Sequence, residues 1–185
     1  MNLFNLQMFA EAVGGDQIIY FYRAYKDRAT KNAVLFPLVT SNERSGSKSA
    51  DSTATKDGSV RIPSPIEIEI TSSSIKAKGD PNVVALEAAF SAGDLVECWE
   101  VDLSSKTEEN KCNATYYQGY FTDFKLTSES DGLVEIETTF GVNGEGAKGQ
   151  VTLSRENEDE IKYAFADLNK ADEGGEEPED EGGEV

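Results

Sequence analysis

Apolar and polar residues alternate with period two at three places along the chain. After Pro65 the run Ile66-Glu67-Ile68-Glu69-Ile70 is a strict alternation, and Val134-Glu135-Ile136-Glu137-Thr138 repeats it. Trp99-Glu100-Val101-Asp102-Leu103 shows a weaker version. Successive side chains of a strand point to opposite faces, so each run predicts a strand with one face in a core and one in water. Residues 17–25, rich in Ile, Tyr and Phe after Gly14-Gly15, read as the first strand. A second apolar run, 33–39, contains Pro37 and suggests an edge position or a bulge. Further strands are expected over 95–103, 114–127, 133–140 and 149–153, with Asp131-Gly132 as a hairpin turn.

One helix is expected in the body. Asp80 can cap it, Pro81 suits its first position, and Val83, Leu86 and Phe90 share a face before Gly93 ends it. A second helix is expected at 157–168, with Ile161, Phe165 and Leu168 on one face. Residues 42–58 hold no large apolar side chain and are dense in Ser, Thr, Gly and charge, which reads as a long loop or extended arm. The resulting fold class is mainly β: an antiparallel β-sandwich or barrel with one packed α-helix, a short C-terminal helix and a disordered acidic tail. The expected divisions are an N-terminal segment at 1–13, a β domain at 14–155, a helix at 156–170 and the tail at 171–185. No period of 20 to 50 residues repeats, so no solenoid is expected.

Charge narrows the function. The 185 residues carry a net charge of -18. Eight uncompensated carboxylates lie between Asp172 and Val185, which leaves -10 on the rest. Affinity for nucleic acid comes mainly from Lys and Arg, so an acidic body argues against binding phosphates. It is compatible with handling DNA without adhering to it. The tail is expected to keep the chain soluble and monomeric by self-repulsion, or instead to decorate an outer surface or mask an interface. Met1 to Ala10 is apolar but lacks a basic flank and falls short of the ~20 residues of a bilayer span, so neither a cleaved signal nor a membrane anchor is expected.

Candidate chemistry is sparse. The chain has no histidine, which removes the commonest general base and metal ligand. Cys98 and Cys112 form no CxxC; they could meet across paired strands, as thiols in a cytosolic protein. Residues 51–58 resemble a calcium loop until Lys56, which stands where the loop needs glycine. The Gly-rich stretch 141–146 lies between two expected strands with no helix to follow, and reads as a flexible hairpin loop. Glu67/Glu69 and Glu135/Glu137 are spaced as solvated stripes, with no apolar pocket to split their pKa values into acid and base. No catalytic residue, metal or cofactor is expected.

A resemblance adds to this reading. The strand YRAYKDRATKNAVLFPLVTSNE from Tyr22, the arm ADSTATKDGSVRIPS and the strand IEIEITSSSIKAKGD follow one another. The helix after Asp80, the Trp-containing strand LVECWEVDL and the Gly-rich turn come later in the same order. Over residues 14–168 the chain resembles the major tail protein family of siphophages, which form the tube of long non-contractile tails. The resemblance implies a tail-tube β fold and hexameric rings stacked into a tube. It implies assembly in the bacterial host cytoplasm with a tape-measure protein, a tail terminator and distal tail proteins, and a place in the virion tail. Double-stranded DNA would pass through without specific binding. On that footing the 45–58 arm is an expected ring-to-ring contact, with Arg44, Lys48, Asp51, Lys56 and Asp57 as its candidates. One acidic stripe, Glu67/Glu69 or Glu135/Glu137, would line the channel, where repulsion of phosphates favours rapid transit. The alternative is a β-sandwich that binds carbohydrate or a cell surface, for which Tyr116, Tyr117, Tyr120 and Phe121 could supply an aromatic patch.

Overall fold

The computed structural model describes residues 12–153. They form β1 (Ile18–Ala24), β2 (Val39–Ser47), β3 (Ala50–Thr55), β4 (Gly58–Pro63) and β5 (Glu67–Ile75), then helix α1 (Pro81–Ala92), then β6 (Val96–Asp102), β7 (Lys111–Thr127), β8 (Glu135–Val142) and β9 (Ala147–Thr152). Six strands run in the order β1-β6-β7-β8-β5-β2, every pair antiparallel, and β9 adds to β7. The helix expected at 157–168 and the acidic tail lie outside the described residues.

The long strand β7 organises the sheet. Its first half pairs with β6 and its second half with β8, and Gly119 stands opposite both Val96 and Val142. A Cβ at Gly119 would collide with the Gly141 carbonyl and come within 3.0 Å of the Phe140 ring, so the crossing point requires glycine. β8 and β9 lie end to end along the same edge of β7. The stretch 141–146 is therefore not a hairpin loop, as the sequence suggested. It is a bulge that interrupts one line of pairing, pinned by Asn143 N–H donating to the Gln118 carbonyl at 2.7 Å. Gly144 (φ 82°) and Gly146 (φ 78°) allow the chain to kink without reversing.

The sheet curls on itself into two layers. Three strands separate β1 from β5 in the order, yet the Tyr22 hydroxyl on β1 lies 3.1 Å from Ser72 Oγ on β5. The Tyr22 ring also packs edge-on against Phe140 of β8 at 5.9 Å. Between the layers sit Tyr22, Phe36, Ile70, Val96, Phe121 and Phe140, all buried. Helix α1 closes this core with Val83, Leu86 and Ala89, while Phe90 stacks on Phe124 at 5.8 Å. Asp80 caps the helix by accepting from the N–H groups of Asn82 (2.8 Å) and Val83 (3.1 Å), and Gly93 ends it in the left-handed conformation.

Several expectations change. Residues 33–39 form no strand of their own: Val34 bridges Tyr22, Phe36 enters the core, and β2 starts only at Val39. The connection at Asp131-Gly132 joins antiparallel β7 and β8 as expected, but through residues 128–134 rather than a two-residue turn. Cys98 and Cys112 do not meet. Cys98 opposes Tyr117 and joins the inter-layer core, whereas Cys112 has the opposite parity on β7 and is buried on the other face of the sheet, so no disulfide joins them.

Candidate assembly and channel surfaces

The polar segment 42–58 is not a loop. β2 continues through it to Ser47, and β3 and β4 then form a separate two-stranded hairpin. Ser49 and Ser64 bridge the two pieces: the Ser64 N–H donates to the Ser49 carbonyl at 2.7 Å, and the hydroxyls lie 2.9 Å apart. Lys56 and Asp57 make the tip, closed at Gly58 (φ 137°), a conformation open only to glycine, and held by Thr55 Oγ1 donating to the Gly58 carbonyl. Serine and threonine suffice here because the backbone ladder supplies the cohesion and no second layer has to be packed. All residues of β3 and β4 are exposed, including Val60 and Ile62 on one face of the ribbon.

The two acidic stripes lie on the same surface. β5 and β8 are neighbours; Ile68, Ile70, Ile136 and Phe140 point into the core, so Glu67, Glu69, Glu135 and Glu137 all point out. Directly opposed residues share a face. The register therefore extends this surface through Glu43 and Ser45 of β2 and through Tyr120, Asp123 and Lys125 of β7. Among the described strand positions of this face, six carboxylates stand against a single ammonium. That ammonium, Lys125, is paired with Glu137 at 3.4 Å. The centre of the face is Thr71, Ser73 and Thr139: short side chains, polar and uncharged.

The phage tail tube protein family model matches residues 12–148 of this chain. The chain belongs to the phage tail tube protein family. It is 32% identical over 164 residues to a protein of Staphylococcus phage phiMR25 described as a tail protein, with 85% of this chain and 83% of that one covered. It is 28% identical over 144 residues to the tail tube protein of Bacillus phage SPP1, covering 77% of this chain but 54% of that protein, about half its length. The fold is similar to the SPP1 tail tube subunit solved by solid-state NMR and cryo EM: TM-score 0.71, 20% identity, 90% of this chain and 96% of that one. It is also similar to the tail subunit of an empty GTA particle: TM-score 0.55, 10% identity, 74% and 98%. This tail tube protein is thus a structural subunit of a phage tail, and its place is the virion.

In this tail tube protein the arm candidates separate by position. Lys48 lies between β2 and β3, Asp51 is on β3, and Lys56 with Asp57 forms the tip. Arg44 sits earlier, on β2, where its Nε reaches Glu100 of β6 at 2.8 Å and clasps one layer to the other. Glu100 in turn accepts from the Tyr117 hydroxyl at 3.2 Å. Burial, reinforced by the Glu100 charge, pushes the Tyr117 hydroxyl up to about 12. Arg44, Glu100 and Lys148 border an open cleft of about 500 Å³ at this end of the sandwich.

The four aromatics at 116–121 form no patch. Tyr117 and Phe121 are core, Tyr116 donates to Glu97 at 2.8 Å, and Tyr120 is exposed on the acidic face. Among the described residues no group of acidic or cysteine side chains is arranged to hold a metal, and no helix is long and apolar enough to cross a membrane. Sequence reasoning missed Glu43, Asp123 and the hydroxyl centre of the acidic face, because membership of that face depends on strand pairing. It also passed over Ile62, whose alternation with Arg61 and Val60 was the available signal for a strand.

Proposed function

We propose that the acidic face formed by β2, β5, β8 and the second half of β7 is the wall of a DNA channel, and that the β3–β4 hairpin joins one ring of subunits to the next. The wall reading is carried by a predominantly negative surface, six carboxylates against one paired ammonium, centred on small hydroxyl side chains. DNA in a close-fitting tube runs within about one Debye length, ~8 Å, of its wall, so a negative surface repels phosphates and prevents adhesion. The protein acts without covalent chemistry. Six-fold rings are supported by the C6 symmetry of the GTA tail whose subunit shares this fold. Tape-measure, terminator and distal tail proteins are its expected partners, and the host cytoplasm its place of assembly.

The hairpin reading rests on exposure. A two-stranded ribbon with no second layer is marginal in water, and one carrying exposed Val60 and Ile62 gains by docking on another molecule. Replacing Glu67, Glu69, Glu135 and Glu137 with Lys tests the wall. The expected virions have normal tails and slowed DNA ejection; unchanged ejection kinetics with intact tails would contradict the assignment.

A further inference from the structure

The β2–β5 pair has two ends, and both display apolar side chains. At the Ser47/Glu67 end the hairpin carries Val60 and Ile62, 53% and 64% exposed. At the opposite end, where Val39 opposes Ser74, lie Leu38 and Leu133, 51% and 68% exposed. Two backbone bonds place these leucines on either side of the end of β5. The Ile75 N–H donates to the Leu38 carbonyl at 3.1 Å, and the Lys76 N–H donates to the Val134 carbonyl at 2.8 Å. Leu126, also exposed, is at the same end, opposite Ile136. Leu38 has φ 49°, a left-handed conformation that a branched side chain rarely adopts. Its side chain is half in solvent, so packing inside this subunit does not account for it.

The charges of the two ends are complementary. Residues 48–63 carry Lys48, Lys56 and Arg61 against Asp51 and Asp57, a net +1 in a chain of net -18. At the leucine end, residues 125–137 carry Glu129, Asp131, Glu135 and Glu137 against Lys125, and residues 76–80 carry Lys76 and Lys78 against Asp80, a net -2 in all. We propose that the leucine end is the receptor for the hairpin of a second copy of this chain, Val60 and Ile62 packing on Leu38, Leu126 and Leu133 while the hairpin cations face the 126–135 carboxylates. The contact is head to tail, one surface meeting a different one, so it propagates along an axis instead of closing into a dimer. This rests on the tube reading and specifies the surface that the hairpin meets.

Cysteine pairing tests it. In the full chain, Ile62→Cys combined with Leu133→Cys is expected to give a ladder of disulfide-linked oligomers on oxidation of assembled tubes. Ile62→Cys combined with Tyr120→Cys is expected to give none. Leu133→Asp is expected to raise the critical concentration for tube growth at least about tenfold, the factor equivalent to ~1.4 kcal/mol of lost contact. Leu38→Asn separates folding from docking: asparagine tolerates a positive φ, so its melting temperature is expected to hold while assembly weakens. Tubes that form without the ladder, dimers from Ile62→Cys alone, or unimpaired growth of Leu133→Asp would overturn the docking surface and leave the tube reading standing. A wild-type protein that forms no tube would remove the tube reading itself.

Discussion

Arg23 and Glu97 oppose each other on β1 and β6, and the carboxylate is almost fully buried. Two guanidinium nitrogens reach one Glu97 oxygen at 2.9 Å, Tyr116 donates to the other at 2.8 Å, and Arg23 lies 5.0 Å over the Trp99 ring. Removing one partner of such a pair leaves an uncompensated charge in the protein. Arg23→Met is therefore expected to lower the unfolding free energy by about 3 kcal/mol in urea titration, with Arg23→Met/Glu97→Gln recovering part of the loss. Gly119→Ala, forced against the Gly141 carbonyl, is expected to cost about 2 kcal/mol in the same assay. Tyr117 ionises near 10 when unfolded and near 12 when folded, and burial also raises Tyr20 and Tyr22. A raised pKa stabilises the fold fully below the unfolded value, and the contribution is lost as pH climbs toward the folded one. Melting temperature should thus hold to about pH 10 and fall between 10 and 12. A melting temperature that held unchanged up to pH 12 would contradict this.

At the scale of elements, local patterns were legible and pairings were not. The alternation at 66–70 and 134–138 identified β5 and β8, and the Asp80, Pro81 and Gly93 signals located α1, because each depends on neighbouring residues. Only the register shows that Glu67/Glu69 and Glu135/Glu137 share one face, or that Cys98 and Cys112 occupy opposite ones. The hairpin escaped notice for a different reason. Its cohesion is backbone hydrogen bonding, and Ser-Thr-rich strands without a packed face carry no apolar periodicity. The Gly-rich bulge at 141–146 looked like a chain reversal because its glycines suit either geometry. Replacing residues 50–63 by an Asn-Gly turn between Ser49 and Ser64 is expected to leave a folded subunit with near-native circular dichroism and no capacity to stack. Normal tubes from that variant would dissociate the hairpin from assembly.

For the whole molecule, the dominant quantity is the net charge of -18. Self-repulsion of that size opposes association, and salt shortens its reach. Tube growth is accordingly expected to accelerate as ionic strength rises from low to physiological values, followed by light scattering; growth fastest at the lowest salt would mean that attraction between hairpin and loop charges dominates. The fold reconciles repulsion with assembly by segregation: carboxylates gather on one sheet face, and exposed apolar residues stand at the two ends of the β2–β5 ribbon. Electron microscopy of the purified full chain over rising concentration tests the central claim most directly. Hollow tubes of uniform diameter, built from stacked rings, are the expected result. A folded protein that remained monomeric at every concentration and salt would contradict it.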